Sequence, residues 1–199
     1  MSPSPAKMDH RNLSPAVPSL AKSIATGAIG FGLVSLCVFA TVAFAERWMY
    51  QTLGLVGAYL AWTVLFILLS GAVFGSLVVA RWRLPRFYFL FGLAFFTYAA
   101  GWVVAYFTLR NTAGEWLGSL AGAVLMAVVF AAGFGRLSSA GKLSAVLFVS
   151  NSLGYFLGSA LNNSLGGRSG MLLWGVAYGL FFGAGIGAAL HLVQQEQRR

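Results

Sequence analysis

The sequence predicts an all-α, polytopic membrane protein, and three features of it carry that prediction. Apolar stretches of bilayer-spanning length recur six times, charged residues are confined to the segments between them, and glycine recurs at every fourth position of the last stretch. Of 199 residues, 59% are hydrophobic and 9% charged, whereas a soluble domain carries about 25% charged residues. The six stretches lie at 20–45, 55–80, 87–109, 116–134, 143–161 and 171–193. Each approaches the roughly 20 residues that a helix needs to cross the hydrocarbon core.

These stretches place a six-helix transmembrane domain over residues 19–199. Residues 1–18 hold Pro3, Pro5, Pro15 and Pro18 among serines and charges. They have too little apolar surface to form a core and are expected to be a disordered cytoplasmic tail. The first stretch ends in Ala43, Phe44 and Ala45, the small-x-small form of a signal-peptidase site. Its apolar run from Ile24 exceeds the ~7–15 residues of a signal core, so it is expected to remain as the first span. Pro85, among Arg81, Arg83 and Arg86, marks the clearest boundary, because proline biases Leu84 away from the helix.

The formal charge of +9 comes from basic residues between apolar runs, not from a stripe on one face. That distribution argues against a nucleic-acid partner and for a lipid bilayer, with other membrane subunits as further partners. With the N terminus inside, Lys7, Arg11, Lys22, Arg81, Arg83, Arg86, Arg136, Lys142, Arg198 and Arg199 fall on the inner side. Only Arg47, Arg110 and Arg168 fall outside. Positively charged loops stay cytoplasmic, so both termini are expected in the cytoplasm, and the short loops suit a bacterial inner membrane.

The same spacing predicts three helical-hairpin repeats at 20–80, 86–135 and 142–193. The second helix of each carries a small-xxx-small pair: Gly71 with Gly75, Gly118 with Gly122, and the stripe Gly175, Gly179, Gly183 and Gly187. Each interior glycine costs a water-exposed helix roughly 1 kcal/mol against alanine. In a bilayer, small residues let two helices approach closely. The four-glycine stripe therefore reads as a glycine zipper for helix packing, and Gly154 and Gly158, beside Ser150, form a second small face.

Two polar and aromatic stripes are candidates for a solute-lining seam. Tyr98, Trp102 and Tyr106 share one helix face at i, i+4 and i+8. Asn151, Tyr155 and Ser159 do the same, with Asn162 continuing the line. Interhelical hydrogen bonding is the plainer explanation for these residues. Asp9, Glu46, Glu115 and Glu196 all lie in the tail or at span ends, so no acidic residue falls mid-membrane. Ion-coupled transporters place ionisable groups along their path, so coupling to protons or sodium is not expected. The phenylalanines of the third stretch, Phe87, Phe89, Phe91, Phe95 and Phe96, are expected to face lipid.

Enzymatic and cofactor chemistry find no foothold. Gly167, Arg168, Ser169 and Gly170 resemble the GxSG motif of rhomboid proteases, but a nucleophilic serine needs a base within reach. The one downstream histidine, His191, lies on the same helix, so Ser169 is expected as an N-cap instead. Cys37 stands alone, and His10 and His191 cannot converge on a metal or haem, so no cofactor is implied. Two function classes remain. The first is a non-enzymatic permease, channel or substrate-binding subunit for a small neutral or amphipathic solute. In size, helix count and termini such a chain resembles the substrate-binding subunits of energy-coupling-factor importers, a likeness of architecture alone. The alternative is an accessory or scaffold subunit that docks through its glycine-rich faces.

Overall fold

The computed structural model describes residues 16–78 and 84–197, which form five long helices. They are α1 Leu20–Gly75, α2 Leu84–Leu109, α3 Thr112–Gly133, α4 Ala140–Leu165 and α5 Gly167–Gln197, with a short 3-10 turn at Leu137–Ser139. All five are long and apolar enough to cross a membrane. Most of the expected tail, together with Arg81, Arg83, Arg198 and Arg199, lies outside the described residues.

Five elements replace the six expected because the first two stretches share α1. The helix does not end at Glu46 and Arg47 but runs on to Leu53. Glutamate, arginine, methionine, glutamine and leucine are all good helix formers, so charge alone gives the backbone no reason to stop. Gly54 does, at φ 68° and ψ 178°, a conformation open essentially to glycine. The chain reverses there. Trp62 Nε1 donates to Thr41 Oγ1 at 3.1 Å across 21 residues, a separation that straight helix would stretch to about 32 Å. The rings of Phe31 and Phe74 lie 5.8 Å apart. Residues 20–53 and 55–75 are thus two antiparallel arms of one folded element.

The arms and helices close into a ring. The first arm packs on α5, α5 on α4, α4 on α3, α3 on α2, and α2 on the second arm. The other connections are short and use local chemistry. Asn111 caps α3 by accepting from Gly114 N at 3.0 Å. Arg136 N reaches Ala131 O at 2.7 Å while Gly135, at φ 68°, reaches Ala132 O at 3.0 Å, the paired closure by which a left-handed glycine ends a helix. Gly166 and Gly167, at φ 64° and 57°, turn α4 into α5. Helix α5 begins at Gly167, so Ser169 falls inside its first turn instead of at the cap.

The stripe of α5 lies against the first arm. Gly187 meets Ser23, Gly183 meets Gly27, Gly179 meets Gly32 and Ser35, and Gly175 meets Phe39. A Cβ on Gly183 would stand 2.6 Å from Phe31 Cβ and 2.9 Å from the Gly27 carbonyl carbon, too close for any side chain. The other small pairs serve different neighbours. Gly71 and Gly75 receive Tyr88 and Phe87 of α2, and Gly118 and Gly122 receive Trp102 and Tyr98, also of α2. These settings are not equivalent, and the packing gives the expected hairpin repeat no support.

This close approach centres Phe31, which is fully buried. Its ring lies within 6.3 Å of the Phe66, Phe74, Phe95, Tyr178 and Phe182 rings. Phe87, Phe91 and Phe95 join this core, while only Phe89 and Phe96 are exposed. The expectation that all five phenylalanines face lipid is therefore corrected for three. Residues 87, 91 and 95 share one face at i, i+4 and i+8, and that face meets α1.

Gly183→Leu is expected to prevent accumulation of folded protein or to lower its detergent melting temperature sharply. Gly141→Ala, where nothing lies within 4 Å of the added atom, should leave that temperature unchanged or raise it. Equal behaviour of the two variants would show that the α1 and α5 contact is not what holds the bundle.

Candidate functional site

The two halves of the ring differ. Towards the end carrying Pro18 and Gln197, the centre is filled by fully buried Phe31, Phe74, Phe91, Phe130 and Phe182. Polar contacts close that end. Gln194 Nε2 donates to Leu77 O at 3.2 Å and Leu190 O at 3.0 Å, and His191 Nδ1 to Pro18 O at 2.8 Å. Glu196 receives Ser139 Oγ and pairs with Lys142 Nζ at 3.1 Å.

Towards the opposite end the centre is hollow. A cavity of about 340 Å³ is lined by nineteen residues, twelve of them aromatic: Phe39, Tyr50, Tyr59, Trp62, Phe66, Phe95, Tyr98, Trp102, Tyr106, Tyr155, Trp174 and Tyr178. Its α2 wall runs from Phe95 to Tyr106, a rise of about 16 Å. The rings form a nearly continuous lining. Trp102 stacks on Tyr106 at 5.0 Å and tilts against Tyr155 at 5.5 Å. Tyr155 meets Trp174 edge-on at 5.5 Å, and Trp174 meets Phe39 at 5.9 Å. Glycines make room for these rings: Gly118 for Trp102, Gly122 for Tyr98 and Gly158 for Trp174.

The floor is a hydrogen-bonded chain through four helices. Tyr98 OH donates to Asn151 Oδ1 at 2.6 Å, and Asn151 Nδ2 donates to Ser119 Oγ at 2.7 Å. Tyr98 and Tyr178 hydroxyls are 3.0 Å apart. Tyr98 has only one proton, already given to Asn151, so Tyr178 is the donor. The order Tyr178, Tyr98, Asn151, Ser119 thus runs from α5 to α2, α4 and α3, and all four residues are buried. Higher up, Tyr155 OH donates to Glu115 Oε1 at 3.2 Å. Glu46 stands at the mouth, with Tyr50 in hydrogen-bonding reach of it and of Tyr59.

The structure brings together Tyr98, Trp102, Tyr106 and Tyr155 around the cavity. Asn151 lies outside the lining and holds the floor from behind. Ser159 and Asn162 are half-buried and away from the cavity, Asn162 packing against Gly170. Gly154 and Gly158 face Tyr178 and Trp174 of α5. Sequence reasoning overlooked Tyr59, Trp62 and Phe66 on the second arm and Trp174 and Tyr178 on α5. Both sets have one-face helical spacing: 174, 178 and Phe182 repeat the i, i+4, i+8 pattern of α2, and 59, 62 and 66 fall at i, i+3 and i+7. Glu46, read from the sequence only as a span-end residue, also contributes to the lining. No sequence signal could have paired Ser119 with Asn151.

A second hollow of about 500 Å³ lies between the second arm and α2. Tyr59, Thr63, Ala99 and Val103 line both spaces. Its outer edges, Val56, Leu60, Phe96 and Val104, are exposed. Among the described residues no three of His, Cys, Asp and Glu gather as a metal site would require. Ser169 and His191 sit 22 residues apart on α5, about 33 Å. No protein-family model, curated protein or solved structure matches this chain.

The hydrogen-bonded floor predicts energetic coupling. Asn151→Leu removes the acceptor of a buried phenol, which costs about 1–3 kcal/mol, and Tyr98→Phe should cost a similar amount because it leaves the Tyr178 hydroxyl without its acceptor and Asn151 Oδ1 without its donor. In a double-mutant cycle read by detergent unfolding, the two changes are expected to couple by about 1 kcal/mol, the scale of interhelical bonds in membranes. Strict additivity would break the floor into unrelated contacts.

Proposed function

We propose that this chain is a non-enzymatic permease or substrate-binding subunit of a bacterial inner membrane, taking a small neutral or amphipathic solute without ion coupling. The observation that carries this reading is the aromatic cavity: twelve rings around about 340 Å³, within the size of small-molecule sites, which run from about 300 to 1,000 Å³. The filled half below the cavity favours a binding site over an open channel. The adjoining hollow between the second arm and α2 supports an amphipathic solute, whose apolar part would lie towards lipid. The scaffold alternative loses the docking face first expected for it, since Gly175, Gly179, Gly183 and Gly187 are covered by α1.

The reading takes the two arms of α1 as separate spans, six in all, with both termini cytoplasmic. The arms of 34 and 21 residues would measure about 51 and 32 Å against a hydrocarbon core of about 30 Å. In a Cys37→Ser background, Thr112→Cys and Ser164→Cys should react with an impermeant maleimide from outside the cell, and Leu137→Cys only after lysis. The reverse pattern would invert the assignment. Labelling of all three from one side would remove the six-span count.

Binding is tested by filling the cavity. In a thermal-shift screen of neutral and amphipathic solutes on the purified protein, at least one should raise the melting temperature saturably; saturation at 100 Kd stabilises by about 2.7 kcal/mol. Val103→Trp, which places an indole between the two hollows, should abolish that shift with little change in the unliganded protein. A screen without any binder, or binders indifferent to Val103→Trp, would reject the reading.

A further inference from the structure

We propose that the cavity is a site for an organic ammonium cation, its substituted nitrogen enclosed by aromatic faces and balanced by the Glu46 carboxylate; this rests on the solute-binding reading above and narrows it. The first support is charge. Among the nineteen lining residues Glu46 alone is charged, and none is lysine or arginine. Among the described residues Glu46 makes no ion pair. Of the three arginines of that end, Arg47 is exposed and outside the lining, and the other two are turned to other partners. Arg168 lies over the Phe44 ring at 4.9 Å, and Arg110 Nε donates to Phe107 O at 3.3 Å.

The second support is the direction of the hydroxyl protons. Tyr178 donates to Tyr98, Tyr98 to Asn151, and Tyr155 to Glu115. All three bonds are made within the protein, so these phenols offer a ligand oxygen lone pairs and no protons. The indoles differ: Trp62 Nε1 donates to Thr41, whereas Trp174 Nε1, beside Gly158, is buried without a hydrogen-bond partner. The deep part of the site is built mainly from ring faces and acceptor oxygens. Both attract positive charge, the rings through their quadrupoles, and no lysine or arginine lines the space to hold an anion. A bare metal ion would need a full shell of oxygen ligands, which a wall of mostly hydrocarbon cannot supply. An alkylated ammonium is weakly hydrated and carries its charge over methyl and methylene groups, so aromatic faces suffice to replace its water.

The test uses the full-length protein in detergent, titrated with tetramethylammonium, choline and benzyltrimethylammonium and followed by tryptophan fluorescence. The neutral isostere of choline, 3,3-dimethylbutan-1-ol, serves as the comparison. At least one cation should bind saturably and, for choline, about tenfold or more tighter than its isostere. Glu46→Gln, at an exposed position where folding is not at stake, should weaken cation binding about tenfold and leave the isostere unaffected. Trp102→Leu should weaken both. If choline and its isostere bind equally, or Glu46→Gln leaves cation affinity unchanged, the charge selectivity is overturned while the solute site stands. If no cation binds but a neutral solute from the thermal screen does, the ammonium assignment falls alone. If nothing binds, both readings fall.

Discussion

One buried chain of hydrogen bonds, from Tyr178 through Tyr98 and Asn151 to Ser119, organises the centre of this bundle. Inside a bilayer no water is at hand to replace a missing partner, and an unpaired polar group in an apolar medium costs several kcal/mol. Each link therefore holds its helix in one rotation and one depth relative to the next. Four helices are tied in this way at a single level. Because Tyr98 has one proton to give, the chain also has a direction, and that direction decides what the floor of the cavity can offer a ligand.

The rest of the architecture follows from how aromatic rings are accommodated at that level and below it. Below, phenylalanines meet ring to ring around Phe31 and fill the centre; above, tyrosines and tryptophans stand around a hollow. The division suits the chemistry of the side chains. Phenylalanine has no polar atom and packs without partners, whereas tyrosine and tryptophan combine an apolar body with a group that must be satisfied. Bulky rings near helix axes require bare backbone opposite them, and the glycines at 118, 122 and 158 supply it. The stripe on α5 differs in kind, since it admits the backbone of the first arm itself at Gly27. Without that approach Phe31 could not reach the centre of the ring.

Much of this was legible along the chain. Apolar length and the placement of charges predicted helices of membrane-spanning size, because a bilayer demands both whatever the neighbours are. The stripe of Tyr98, Trp102 and Tyr106 was visible because helical periodicity is local, and so was the bare face at Gly175, Gly179, Gly183 and Gly187. Periodicity does not say what a face meets. The spacing of Phe87, Phe91 and Phe95 is as regular as that of the tyrosine stripe, yet their burial depends on α1 lying across them. The turn at Gly54 was missed for a related reason. Charge marked Glu46 and Arg47 as a span end, but a helix ends where the backbone can leave it.

By itself, the sequence determined that this protein is helical, apolar at membrane-spanning length and rich in small residues on particular faces, since each property follows from composition and spacing within one segment. Only the tertiary structure decided which faces meet. It set Asn151 behind the cavity wall, turned Ser159 and Asn162 away from it, and drew Tyr59, Trp62, Trp174 and Tyr178 from distant segments into it. It also put Glu46 at the mouth. The reason is physical: a cavity is the space left over when several helices have settled their rotations against one another, and no single helix carries that information.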